Sequence, residues 1–123
     1  MQLACDGRIA QLIEEALLHF DGQRYHLLAW VVMPNHVHVL IETLAGHPLA
    51  EVEHSWKSFT AKEANVILGR RGTFWQAESF DRVIRNEQHL ANAIQYIHNN
   101  PVKAGLVSQA EDWLYSSARK ILA

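Results

Sequence analysis

Residues 25–42 read YHLLAWVVMPNHVHVLIE, and their reading decides the fold. The run 25–33 is rich in β-branched and aromatic residues, Pro34-Asn35 is a turn signal, and 36–42 (HVHVLIE) is apolar again. Two such runs across a two-residue link predict an antiparallel hairpin. Upstream, Ile9, Leu12, Ile13, Ala16, Leu17 and Phe20 recur at helical spacing, so residues 8–20 form an amphipathic helix that Asp21-Gly22 stops. Downstream, residues 48–68 predict a second helix ending before Gly69, GRRGTFWQ a basic loop, and 79–85 (SFDRVIR) a short strand. Residues 87–99 predict a last helix with Leu90, Ile94 and Ile97 on one side, closed by Asn100-Pro101 because the residue before proline disfavours the helical region. The order α-β-β-α-β-α is that of an α+β domain, an antiparallel sheet with helices on one face.

Size and composition agree with a single domain over residues 1–123, since 123 residues support one core. About half the residues are hydrophobic (49%) and a fifth charged (20%), an ordinary globular profile. No apolar run approaches the roughly 18 residues that span a bilayer, and MQLACDGRIA does not have the pattern of a secretory signal. The single cysteine, Cys5, forms no internal disulfide and no metal pair, which points to a reducing compartment, the cytoplasm.

The formal net charge is −2, but its distribution is uneven. Residues 1–53 carry −5, residues 54–105 carry +3, and the tail is balanced. The basic middle interleaves Lys57, Lys62, Arg70, Arg71, Arg82, Arg85 and Lys103 with Trp56, Phe59, Phe74 and Trp75. Phosphates need cations and bases need stacking faces, so this composition suits a nucleic-acid strand. A solvated mixed-charge surface over buried aromatics has the same composition.

Two motifs carry chemistry. In His36-Val37-His38 a strand's period of two puts both imidazoles on one face, about 6.5–7 Å apart at Cα, where two ring nitrogens converge on one cation. Glu42, about 13 Å along the same face, is a rim residue. Histidines alternating with valines also occur on half-exposed strands without a metal, and that reading stays open on these residues alone. The second motif is Tyr96, with Asn100 four residues on and on the same helical face. A phenol has an ordinary pKa near 10, so one that attacks phosphorus needs a metal beside it to polarise the phosphate. An amide oxygen one turn away could complete a site begun by two histidines. That mixed N/O set suits Mg²⁺ or Mn²⁺ and is compatible with Zn²⁺. A tyrosine whose hydroxyl simply reaches water is the plainer reading of Tyr96.

Taken together, YHLLAWVVMPNHVHVLIE, WKSFTAKEAN, FWQAESFDRVIR and YIHNNPVKAGLV resemble the REP-associated tyrosine transposases, in order and spacing, from about residue 25 to 107. That family belongs to the single-tyrosine transposases of the HUH endonuclease superfamily. The resemblance implies a ferredoxin-like sheet, a divalent metal (Mg²⁺ or Mn²⁺), and action on single-stranded or hairpin DNA without ATP. It implies that His36 and His38 are the metal pair and Asn100 the third ligand. It implies that Tyr96 is the nucleophile, forming a 5′-phosphotyrosine link and freeing a 3′-hydroxyl. The metal would stabilise charge on the phosphoryl oxygens while the protein supplies position. Lys57, Arg70, Arg71, Arg82, Arg85 and Lys103 are the expected phosphate contacts. Trp56 and Trp75 either stack on bases or lie in the core, and His98, about 200° round the helix from Tyr96, faces DNA or caps. Relatives open with a central strand that MQLACDG is too short to supply, so the N-terminal strand is expected to be missing. Residues 1–6 then pair partially, a second copy in a homodimer covers the edge, or the chain is a shortened remnant. Two other functions use the same scaffold: a non-catalytic hairpin-DNA or RNA binder, and a hydrolase in which the histidine pair activates water.

Overall fold

The structure is a computed structural model that describes residues 7–34, 36–72, 75 and 90–119, and the backbone of 80–84 and 120–122. The N-terminal strand was expected to be missing; residues 1–6, one of the alternatives for covering the edge it would leave, lie outside the described residues, as do Phe74 and Arg85. The elements follow the predicted order: α1 (Gly7–His19), β1 (Tyr25–Val32), β2 (Val37–Thr43), α2 (Leu49–Leu68), β3 (Phe80–Ile84), α3 (Leu90–Lys103) and a short α4 (Ser117–Leu122). The α+β class is as expected.

β1 and β2 form the antiparallel hairpin, closed where the Met33 N–H donates to the His36 carbonyl at 2.8 Å. β3 departs from the expected antiparallel sheet. It pairs parallel to β2, with Val37 opposite Phe80 and His38 opposite Asp81, so the sheet is mixed and ordered β1-β2-β3. A parallel neighbour needs a long crossover, and the segment that contains α2 supplies it.

The helices cover both faces, not one. Ile9, Ile13 and Leu17 of α1 and Val52, Trp56 and Ala64 of α2 pack with Tyr25, Trp30, Val32, Val37, Val39 and Ile41. On the other face Ile97 of α3 packs with Ala29, Val31, Met33 and Leu40. The physical reason is visible in the strands: Val37 through Ile41 are all buried, and a strand apolar on both sides requires cover on both sides.

A β-bulge between Leu27 and Ala29 shifts the β1 register by one. An inserted residue reverses the alternation of everything after it. Tyr25 and Leu27 before the bulge, and Trp30 and Val32 after it, therefore all face α1 and α2. The buried polar tips on that side are matched: the Tyr25 hydroxyl donates to the Leu17 carbonyl, Trp56 Nε1 donates to Tyr25 Oη at 3.0 Å, and Trp30 Nε1 donates to Glu14 Oε2 at 2.9 Å. Buried donors and acceptors that are paired in this way cost little, whereas orphans are expensive.

α3 runs past the expected stop. Pro101 lies inside it and the helix continues to Lys103. Proline removes one N–H but fits near an end, and the last turn is secured beyond it. The Leu106 N–H donates to the Pro101 carbonyl (2.9 Å) and the Gly105 N–H to the Val102 carbonyl (3.0 Å), with Gly105 left-handed at φ 76°. That is the glycine-terminated closure of a helix, displaced five residues from where the sequence suggested.

Candidate active site

The face of the sheet beneath α3 carries the site. His38 is paired in register with Val31, and Val31 packs with Ile97 of α3, so the His38 ring stands on the α3 side. It is buried, and His36, in the turn just before β2, is half-buried. The two rings meet edge to face with centroids 4.3 Å apart, and their Nε2 atoms are 2.5 Å from one another. The two nitrogens face one another, and neutral imidazole nitrogens are good ligands for divalent metals. The donor set thus fits a metal.

Tyr96 comes to this pair from α3. Its ring lies 5.9 Å from that of His38, at 87° between planes, and the residue is 52% exposed. The phenol is therefore beside His38 and open to solvent. Ile97, buried at 1%, anchors the same turn in the core. Asn100 donates from Nδ2 to the Tyr96 carbonyl at 3.0 Å, which fixes the amide and leaves Oδ1 as the atom a cation would take. Among the described residues no group of three or more His, Cys, Asp or Glu side chains converges.

The basic candidates are dispersed. Lys57 lies on α2, on the sheet face opposite Tyr96, and pairs with Glu53 at 3.1 Å. Arg70 and Arg71 are exposed just past α2, and Lys103 is exposed at the end of α3. Arg82 is in β3, paired in register with Val39. Trp56 is 3% exposed and belongs to the core, with its ring 5.0 Å from Tyr25. Trp75 donates from Nε1 to Thr60 Oγ1 at 2.9 Å, half-buried against α2.

His98 reaches the start of α4. Its Nε2 is 2.7 Å from Ser117 Oγ, and burial holds its imidazole below the usual pKa range. The residues around Ser117 were not singled out by sequence reasoning. A serine pair after a tyrosine carries no pattern, and nothing in the spacing reveals that it returns to β1.

Residues 2–100 match the protein family described as Transposase IS200 like. The REP-associated tyrosine transposase of Escherichia coli (strain K12) is 28% identical over 92% of this chain and 67% of that protein. A putative REP-associated tyrosine transposase of Haemophilus influenzae is 28% identical over 76% of this chain and 58% of its own length. This chain thus spans about three fifths to two thirds of those relatives. A solved structure of a REP-associated tyrosine transposase bound to a REP hairpin superimposes with a TM-score of 0.72 at 26% identity, covering 97% of this chain and 70% of that one. No helix among the described residues is long and apolar enough to cross a membrane. The match to residues 2–100 takes in the histidine hairpin and the tyrosine helix that faces it, and on that extent the chain belongs to the family of IS200-like transposases.

Proposed function

We propose that this protein is a metal-dependent single-tyrosine endonuclease and strand transferase of the HUH type, acting in the cytoplasm on single-stranded DNA at hairpins. The observation that carries the reading is the exposed Tyr96 ring set 5.9 Å from His38. His36 and His38, with Asn100 as third ligand, would hold Mg²⁺ or Mn²⁺. Bound there, the ion would polarise the scissile phosphate and stabilise charge on its oxygens.

Tyr96 Oη attacks the phosphorus. The bond from phosphorus to the 3′-oxygen breaks, the phenol gives up its proton, and the departing 3′-oxygen takes one up. The DNA is left joined to Tyr96 through its 5′-phosphate. One phosphodiester replaces another, so the step is reversible and can be passed to a second strand without ATP. Asn100 holds the turn that carries Tyr96, and α3 buries Ile97 so that the nucleophile approaches from a fixed direction. Arg70, Arg71, Arg82, Arg85 and Lys103 are the proposed phosphate contacts. Lys57, on the opposite face, would meet only DNA that wraps round the domain. The hairpin preference is supported by the REP hairpin in the related structure.

The test is a covalent adduct. The protein is incubated with a hairpin-bearing single strand and Mg²⁺ or Mn²⁺ and run on a denaturing gel. A slow species is expected for wild type and absent for Tyr96→Phe. Tight hairpin binding by wild type with no adduct would overturn the transferase reading and leave a binding protein. Cleavage that survives Tyr96→Phe but is lost in His36→Ala would indicate a hydrolase.

A further inference from the structure

α3 meets the sheet mainly over β1, whereas the histidines stand on and just before β2. The position of Tyr96 relative to His38 therefore depends on what ties α3 to β1. One connection is made by polar side chains. Ser117 is 1% exposed, its Oγ accepts the Trp30 N–H of β1 at 3.0 Å, and it lies 3.3 Å from the Trp30 carbonyl. The same oxygen is 2.7 Å from Nε2 of His98, two residues beyond Tyr96 on α3. The serine thus sits between the β1 backbone and the nucleophile helix, bonded to both.

Ser117 is delivered there by a segment that borders β1. Ser116 makes an antiparallel bridge to Val31, the Val32 N–H donates to the Tyr115 carbonyl at 2.8 Å, and Trp113 Nε1 donates to the Val32 carbonyl at 2.9 Å. The segment satisfies β1 edge groups that would otherwise lie unpaired. It lies past residue 100, where the family match ends, so nothing in the shared motifs assigns it a part in the site.

We infer that Ser117 and His98 are positioning residues: through the Trp30 backbone they set the helix turn that presents Tyr96 to His38. The inference rests on the proposed role of Tyr96. A hydroxyl is small and its bonds are directional, so its loss leaves the core intact but lets the turn shift. Misplacing a nucleophile by about 1 Å can cost about 10²-fold in rate.

The test uses the full chain labelled with 3-fluorotyrosine, with the Tyr96 fluorine resonance assigned by Tyr96→Phe. In Ser117→Ala and His98→Ala that resonance is expected to move toward the solvent-exposed position. In His98→Gln, which can still bond Ser117, it is expected to stay. With hairpin single-stranded DNA and Mn²⁺, single-turnover adduct formation should fall by about 10²-fold in the two alanine variants, be largely rescued in His98→Gln, and leave hairpin affinity unchanged. A Tyr96 resonance and adduct rate unaffected by the alanine substitutions would overturn the inference, as would equal losses in His98→Ala and His98→Gln. If Ser117→Ala does not fold, the His98 pair decides. If wild type forms no adduct, the transferase reading fails while the fluorine resonance still decides whether the clasp sets Tyr96.

Discussion

The Tyr96 ring meets the His38 ring edge to face, with centroids 5.9 Å apart and planes at 87°. The two residues come from elements that meet only because α3 packs across the hairpin. This contact separates two roles that one substitution each can isolate. His38→Ala removes a nitrogen ligand and should weaken Mn²⁺ binding by at least about 10²-fold, since even an outer-shell partner of a metal site is worth 10–100-fold. Tyr96→Phe keeps the ring against His38 and should leave Mn²⁺ affinity unchanged while abolishing the adduct. Titration of Mn²⁺ followed by electron paramagnetic resonance reads the first quantity, and a denaturing gel reads the second. Equal Mn²⁺ affinity in wild type and His38→Ala would remove the histidine pair from the metal site.

Burial lowers the His98 pKa below its ordinary 6.5, and the sign of the consequence follows. The unfolded chain takes up the His98 proton more readily than the folded one. Stability from this group is therefore complete above about pH 6.5, declines as pH falls through 6.5, and is lost once pH passes the lower folded value. Thermal melting followed by circular dichroism between pH 7.5 and 5 should show wild type losing more stability on acidification than His98→Gln. Comparing the two isolates His98 from the chain's other histidines. Parallel pH profiles would show that this imidazole is not desolvated.

The hairpin was legible because its signal is local: two apolar runs and a Pro-Asn link determine the pairing of β1 with β2. The candidate site's juxtaposition was legible for a similar reason, since a spacing of two brings His36 beside His38 and one helical turn brings Tyr96 beside Asn100. What escaped depends on contacts distant in sequence. The bulge at Leu27–Ala29 carries no glycine to mark it, and without it Tyr25 and Trp30 would be assigned to opposite faces. Val37, Val39, Leu40 and Ile41 are all buried, so β2 is covered on both sides, but the His-Val alternation suggested a half-exposed strand. The parallel pairing of β3 depends on α2 as a crossover, which element order alone does not distinguish from a return. The Ser117 contact joins residues 98, 117 and 30, and no local periodicity encodes it.

Gly69 closes α2 at φ 65°, and its N–H and that of Arg70 donate to the Val66 and Asn65 carbonyls. A Cβ built at this position meets nothing within 4 Å, so the whole effect of Gly69→Ala is backbone strain in the left-handed region. The expected loss is about 1–2 kcal/mol, with a smaller loss for Gly69→Asn because asparagine tolerates this conformation. Urea denaturation should show a lower midpoint for both with an unchanged slope. An alanine variant as stable as wild type would mean that the helix ends elsewhere.

Trp56 tests whether an aromatic among basic residues serves DNA or the core. It is 3% exposed, its ring packs edge-on against Tyr25, and its Nε1 donates to Tyr25 Oη at 3.0 Å. Trp56→Phe keeps most of the packing and removes that bond, which should cost about 1–2 kcal/mol in urea unfolding. Trp56→Ala should cost about 3–5 kcal/mol, because it also opens a cavity beneath α2. Hairpin affinity, measured on folded protein well below the unfolding midpoint, should be unchanged in Trp56→Phe. A base-stacking aromatic is worth about 1–3 kcal/mol per base when removed to alanine, so a folded Trp56→Ala protein that binds the hairpin normally would place this tryptophan outside the DNA interface. A drop in affinity of that size, with the fold intact, would instead require α2 to move and expose Trp56 when DNA binds. The Tyr25 hydroxyl provides a check on such a movement. It is bonded to Trp56 on one side and to the Leu17 carbonyl on the other, so a shift of α2 would break the first of those bonds and speed hydrogen exchange at Trp56 Nε1.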